Sequence, residues 1–269
     1  MKDMNFSDTK WDIIVQGGQS NAEGHGRGPV SNQWIASPNV FYLEAEYDGC
    51  MVDGTVSIRF LDKPFLVKPA EERISNGEPL GDFSLTFAQQ YEKELLEEGR
   101  KILIIRTAFG GTGFKSGHWG LRDVLYKEMV EMTKWALSQN EENRLVALLW
   151  HQGEEDVGKQ NKPEIFKVQL QNMVRDFRNR FGSNIPFLAG DFVHDWKDKN
   201  IEICQSIAEK IQRVVEEEGT AYFVDTAGLL SNNQKIGNGD EIHFCRDALR
   251  ELGRRYYNAY KRIVFGEIK

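Results

Sequence analysis

Trp11-Asp12-Ile13-Ile14-Val15-Gln16-Gly17-Gly18-Gln19-Ser20-Asn21-Ala22 (residues 11–22) begins as an apolar run and ends with a serine in a glycine-rich turn. A near-continuous apolar run of this kind suits a strand covered on both faces. Four more runs repeat it: KILIIRTA (101–108), RLVALLW (144–150), IPFLAGDF (185–192) and AYFVDTA (221–227). The intervening segments carry helical spacing instead: Phe83, Phe87, Tyr91 and Leu95; Leu121, Leu125, Met129 and Met132; Phe166, Leu170, Met173, Phe177 and Phe181; Cys204, Ile207, Ile211 and Val214. Leu249, Leu252, Tyr256 and Tyr260 follow the last run in the same way. The alternation predicts an α/β fold, a three-layer α/β/α sandwich whose five-stranded parallel sheet is joined by right-handed crossovers. Ligands of such sheets bind outside the carboxyl ends of the strands, so the residues just after each run are the ones to examine for chemistry.

The 269 residues, 40% of them hydrophobic, are enough for a sizeable core and are read as a single domain over 1–269. Residues 22–80 form a long insertion after the first strand, rich in Gly, Asn, Pro and aromatics, with strand pieces at NVFYLEA (39–45) and VSIRFLDKPFLV (56–67). Insertions of this size on the active face shape substrate pockets. A net charge of −7 argues against general affinity for nucleic acid or an anionic membrane, both of which need a basic surface. A neutral partner fits better. The three cysteines, Cys50, Cys204 and Cys245, lie far apart without a zinc-type spacing, and read as partly buried ordinary thiols. The start MKDMNFSDTKWD has no apolar core for a signal peptide, and no run of about 18 apolar residues occurs. The expectation is a cytoplasmic protein, although a secreted chain trimmed of its leader would start the same way.

Four strand ends hold unusual residues. Gly17-Gly18-Gln19-Ser20-Asn21-Ala22 puts a serine where a nucleophile would leave the sheet, but Ala22 breaks the GxSxG elbow. By itself the turn reads equally as a cap. Phe109-Gly110-Gly111-Thr112-Gly113 can present backbone N–H groups to an anion, and it matches neither GxGxxG nor GxxxxGK[ST]. Trp150-His151-Gln152-Gly153-Glu154-Glu155-Asp156 crowds polar groups at a third end. His151 and Glu154 lack the further ligands a metal would need, so no metal and no cofactor are expected. Asp240-Glu241-Ile242-His243 can hold a carboxylate against Nδ1 of the imidazole and aim Nε2 at a serine. Each piece is common alone; together, in order, they form the inventory of acyl transfer, a nucleophile, a base with its orienting acid, and donors for an oxyanion.

As a set these blocks, GQSN (18–21), GGT (110–112), WHQGE (150–154) and DEIHF (240–244), resemble the SGNH-hydrolase superfamily. Within it they resemble the sialate O-acetylesterase and carbohydrate esterase family 6 group, which includes acetylxylan esterases. The resemblance implies a flavodoxin-like fold and a serine esterase acting on acetylated carbohydrate through an acetyl-enzyme. It makes Ser20 the nucleophile, His243 the base and Asp240 the orienting carboxylate. The oxyanion hole it implies uses the N–H of Ser20, an N–H of Gly111 or Gly110, and the amide of Gln152. Glu154 is either a group supporting Gln152 and the serine turn from behind or the triad acid in place of Asp240, with Asp240 favoured by spacing. The chain departs from the group at Gly113-Phe114, where a small residue and Ile usually follow GGT. Gln19 and Asn21 read as turn-stabilising groups near substrate, and Trp119, Trp34 and His118 as aromatics that would stack on a sugar. Two other readings use the same residues: an acetyltransferase passing the acetyl to a sugar hydroxyl, and a glycan-binding relative without turnover. Both Ser20 and His243 are present, which ranks the second of these last.

Overall fold

In the computed structural model, which describes residues 5–31 and 34–266, the first apolar run forms β1 (Lys10–Gly18), buried from Trp11 onward. Ile13 and Val15 enter one hydrophobic cluster and Ile14 the opposite one, as the period of two in a strand requires. A single helical turn, α1 (Ser20–Glu23), follows directly. The insertion then contributes β2 (Val40–Glu44), a hairpin of β3 (Tyr47–Val52) and β4 (Thr55–Phe60), β5 (Leu66–Pro69), and a second hairpin of β6 (Arg73–Ser75) and β7 (Glu78–Leu80). Beyond it run α2 (Phe83–Glu94), β8 (Arg100–Ala108), α3 (Val124–Ser138), β9 (Arg144–His151), α4 (Glu154–Gly158) and α5 (Pro163–Phe181). The chain continues through β10 (Phe187–Gly190), α6 (His194–Lys199), α7 (Ile201–Glu217), β11 (Ala221–Val224), α8 (Asn232–Ile236) and α9 (Arg246–Val264).

The central sheet has the order β11-β10-β9-β1-β8-β2-β5, so it holds seven strands where five were expected. The extra two come from the insertion: β2 is an apolar run that pairs parallel with β8, and β5 closes the edge antiparallel. The five expected strands are all present and parallel, in the flavodoxin-like arrangement with β1 between β8 and β9. The chain leaves β1 for one side and returns to the other, which makes the carboxyl end of β1 the point where strand order reverses and a cleft opens.

Two layers cover the sheet. The apolar faces of α3, α5 and α7 meet one side, those of α2 and α9 the other. Leu121, expected on the second helix stripe, lies before α3 and is exposed. At the end away from the cleft, buried Asp12 accepts from Tyr91 Oη (2.7 Å), Arg100 Nε (2.7 Å) and Arg144 Nε (2.7 Å), tying α2, β8 and β9 to β1. A carboxylate is tolerated there because every lone pair finds a charged or hydroxyl donor. Of the cysteines, Cys204 and Cys245 are buried and Cys50 is exposed.

Candidate active site

The turn after β1 is built on close backbone approach. Gly18 has φ +135°, and a Cβ there would fall 2.1 Å from the His151 carbonyl oxygen at the end of β9. Only glycine fits, and the Gln19 N–H then donates to that same carbonyl at 3.0 Å. Buried Gln16 steadies the far side of the turn, donating through Nε2 to Ala22 O (2.6 Å) and Asp82 Oδ1 (2.8 Å). Ser20 is thereby held at the mouth of the reversal point, 5% exposed.

The partner imidazole arrives from 223 residues away. Ser231 caps α8 in a reciprocal box with Gln234, and Asn232 Nδ2 donates to Asp240 Oδ2 at 2.8 Å. The His243 N–H donates to Asp240 Oδ1 (3.2 Å), and the ring Nδ1 stands 2.9 Å from both Asp240 oxygens. That fixes the tautomer with its proton on Nδ1 and turns Nε2 to Ser20 Oγ at 2.8 Å. Burial alone would raise the Asp240 carboxyl, but His243 and Asn232 outweigh it and lower it below the usual range.

Asn21 latches the two halves together. Its Oδ1 accepts the Phe244 N–H (3.1 Å), and its Nδ2 donates to Ile242 O (3.0 Å) and Glu154 Oε1 (2.7 Å). Glu154 therefore stands behind Asn21, and Asp240 is the carboxylate at the imidazole. Glu154 is almost fully buried, its Oε2 has no partner among the described residues, and burial pushes its carboxyl up despite the Asn21 bond.

Of the expected oxyanion donors, the N–H groups of Ser20 and Gly111 make no hydrogen bond among the described residues. The Gly110 N–H, by contrast, is taken by Glu23 Oε2 at 2.8 Å, so of the two glycines it is Gly111 whose N–H is unengaged among the described residues. The Gln152 amide is directed differently from the expectation. It donates to Asp156 Oδ2 at 2.7 Å, with longer contacts to Gln19 Oε1 (3.3 Å) and Thr112 O (3.4 Å), because α4 brings the carboxylate of Asp156 one turn on against it. Asp156 also accepts the N–H groups of Phe114 and Lys115, each at 2.9 Å. A Cβ on Gly113 would lie 2.7 Å from its Oδ2, which accounts for glycine after GGT.

Ser20, His243, Gly110 and Gly111 open on a cavity of about 590 Å³, and the hairpin β3–β4 supplies most of the opposite wall, including Tyr47, Met51, Val56 and Ile58. Several residues expected near sugar are elsewhere. Trp119 is fully buried edge-on against Trp150 with its Nε1 on Thr112 Oγ1, and buried His118 bridges Ser116 Oγ and Val56 O. Trp34 lines a separate cavity of about 810 Å³ beside α9. Gln19 and Asn21 are buried braces, Gln19 Oε1 accepting the Glu155 N–H at 2.9 Å. Phe114 points into the core against Trp150 and Phe166. Glu23, His25 and Tyr47, by contrast, line the same cavity as Ser20 and Gly110, and Arg73 pairs with Glu23 behind them, none of the four marked by a sequence motif. No group of three or more His, Cys, Asp or Glu side chains among the described residues is arranged to hold a metal ion, and no described helix is long and apolar enough to cross a membrane.

A family model described as carbohydrate esterase, sialic acid-specific acetylesterase matches residues 10–262. A probable carbohydrate esterase of Arabidopsis thaliana is 24% identical over 261 residues, covering 92% of this chain and 89% of the relative. A probable 9-O-acetyl-N-acetylneuraminic acid deacetylase of Escherichia coli K12 is 26% identical over 121 residues, which span only 36% of this chain and 37% of that protein. Among solved structures, NanS superposes with a TM-score of 0.75 at 20% identity, over 96% of this chain and 98% of its own.

Proposed function

The chain belongs to the family of carbohydrate esterases described as sialic acid-specific acetylesterases, and from that membership we propose that it removes O-acetyl groups from carbohydrate through an acetyl-enzyme on Ser20. The observation that carries the reading is the line of three groups, Asp240 Oδ 2.9 Å from His243 Nδ1 and His243 Nε2 2.8 Å from Ser20 Oγ, facing a cavity wide enough for an ester.

In this reading Ser20 Oγ attacks the acetyl carbonyl carbon while its proton passes to His243 Nε2. The carbonyl oxygen becomes an oxyanion for which the N–H groups of Ser20 and Gly111, neither engaged elsewhere among the described residues, are the available donors, and donors fixed by the fold need no reorganisation. Collapse expels the sugar oxygen, which takes the proton from His243, and leaves the acetyl ester on Ser20. Water then enters, gives its proton to His243, and releases acetate by the same steps reversed. Asp240, ionised because its hydrogen bonds hold its carboxyl low, stabilises the imidazolium that forms twice in the cycle.

The test is Ser20→Ala assayed against a chromogenic acetate, acetylated xylo-oligosaccharides and an O-acetyl sialic acid. Loss of a nucleophile with no substitute costs several decades in kcat, on the order of 10⁴ or more. Retention of a tenth of wild-type activity removes Ser20 from the mechanism. Transfer in place of hydrolysis would show as acetylated sugar, not acetate, when a free sugar acceptor is added.

A further inference from the structure

A single carboxylate touches both halves of the apparatus around Ser20. Glu23 ends α1, one turn after the serine, and its Oε2 accepts the Gly110 N–H at 2.8 Å and faces His25 Nε2 at 3.1 Å. Its Oε1 accepts from Arg73 Nη1 at 2.7 Å, and Arg73 Nη2 donates to Gly24 O at 2.6 Å. Arg106 Nη2 holds the Glu23 backbone carbonyl at 2.6 Å. The His25 ring in turn stacks on that of His243, centroids 5.1 Å apart at 28°. Burial opposes a charge on Glu23, but the His25 bond, the Arg73 charge and the Gly110 N–H outweigh it and bring the carboxyl down to about 2. The group is therefore an anion throughout the pH range in which an ester is cleaved.

Gly110 and Gly111 have the widest backbone freedom of any residue pair, and Gly111 sits at φ +69°. Nothing in their own side chains decides where the Gly111 N–H points. We propose that Glu23 is a positioning residue for the oxyanion site: by holding the Gly110 N–H it locks the glycine loop so that the next N–H, that of Gly111, stays aimed beside Ser20 Oγ. Arg73, carried by the hairpin β6–β7, anchors the carboxylate, so part of the insertion acts on the chemistry without touching substrate. The shared contact with His25 lets the same carboxylate brace the flank of His243.

The inference rests on the reading of Ser20 as the nucleophile, and the experiment separates the two. Glu23→Gln keeps the shape but loses the charge that Arg73, His25 and Gly110 share; Glu23→Asp keeps the charge but shortens its reach to Gly110. Both are compared with wild type for kcat, KM and melting temperature on a small acetate ester, and for inhibition by a simple boronic acid. The boronic acid takes a lone pair from Ser20 Oγ, whose proton passes to His243 Nε2, and gives a tetrahedral, negatively charged adduct, a stable stand-in for the oxyanion. Loss of one oxyanion donor lowers kcat by about 100-fold, so both variants should lose kcat on that scale, keep KM within about threefold, and bind the boronate more weakly by a similar factor. A merely structural role would lower the melting temperature and leave the kcat and boronate affinity of the folded protein unchanged, and that result overturns the proposal. So does a rise in KM at constant kcat. Ser20→Ala, run in parallel, is inactive if the nucleophile is right; activity surviving there rejects the reading of Ser20 itself, whereas inactive Ser20→Ala beside fully active Glu23 variants rejects only the role of Glu23.

Discussion

At the scale of single residues, the arrangement turns on which carboxylate meets His243. Asp240 does, and it is itself held by Asn232 at 2.8 Å. Asp240→Asn should therefore preserve the shape of the loop but let the imidazole adopt the wrong tautomer, with Nε2 protonated toward Ser20. The expected cost is about 10³–10⁴ in kcat with KM nearly unchanged, measured on a small acetate ester; a loss below tenfold would show that the carboxylate does not orient the base. Ser20, His243, Asp240 and the glycine pair were legible because each lies in a short local motif. The partners Glu23, His25, Arg73 and Asn232 were not, because what recruits them is tertiary proximity: Arg73 reaches Glu23 across 50 residues and Asn232 reaches Asp240 from the preceding helix. Gln152 illustrates the boundary. The sequence places it at the end of β9, but the direction of its amide depends on Asp156 after α4 has formed.

At the scale of elements, the apolar runs marked five strands to within a few residues, because a strand buried on both faces has to be apolar throughout. The stretch 22–80 was less readable. Its hairpin turns do carry a local signal, Asp53-Gly54 and Asn76-Gly77, each with both residues at positive φ (48° and 72°, 52° and 79°), as a two-residue turn between twisted strands requires. Their strands are short and bury few or none of their residues, however, β3 being exposed throughout, so the alternation that would confirm them is weak. The junction of β1 with α1 yields a direct test. Gly18→Ala adds a Cβ 2.1 Å from a backbone carbonyl that cannot move without shifting β9. Urea unfolding should show a loss of about 1–3 kcal/mol, and kcat should fall because Ser20 rides on the displaced turn. An unchanged midpoint and rate would mean that the two strands part easily there.

At the scale of the whole molecule, the two ends of the sheet do different work. Asp12 and its arginines bind the strands together at one end, and the carboxylates clustered around Ser20 at the other leave stability dependent on pH. For Glu23 the sign follows from its lowered carboxyl: ionised in the fold down to about 2 but titrating near 4.5 when unfolded, it contributes stability in full above 4.5 and loses it as the pH falls from 4.5 towards 2. The shift corresponds to about 3 kcal/mol, so the stability gap between wild type and Glu23→Gln, measured by urea unfolding, should be widest near neutrality and shrink across that acid window. A gap unchanged at pH 3 would contradict the coupling. Glu154, whose buried carboxyl is raised, acts in the opposite sense, its contribution declining as the pH rises above the value of a free carboxyl. The 223 residues that separate Ser20 from His243 also bear on how the protein is made. At the usual ribosomal pace of roughly 5–20 residues per second, Ser20 leaves the peptidyl-transferase centre roughly 10–45 seconds before His243 is polymerised. Throughout that interval the nascent chain carries Ser20 without its imidazole partner, so under the proposed mechanism the onset of esterolysis on a stalled ribosome would time the docking of the segment that bears His243.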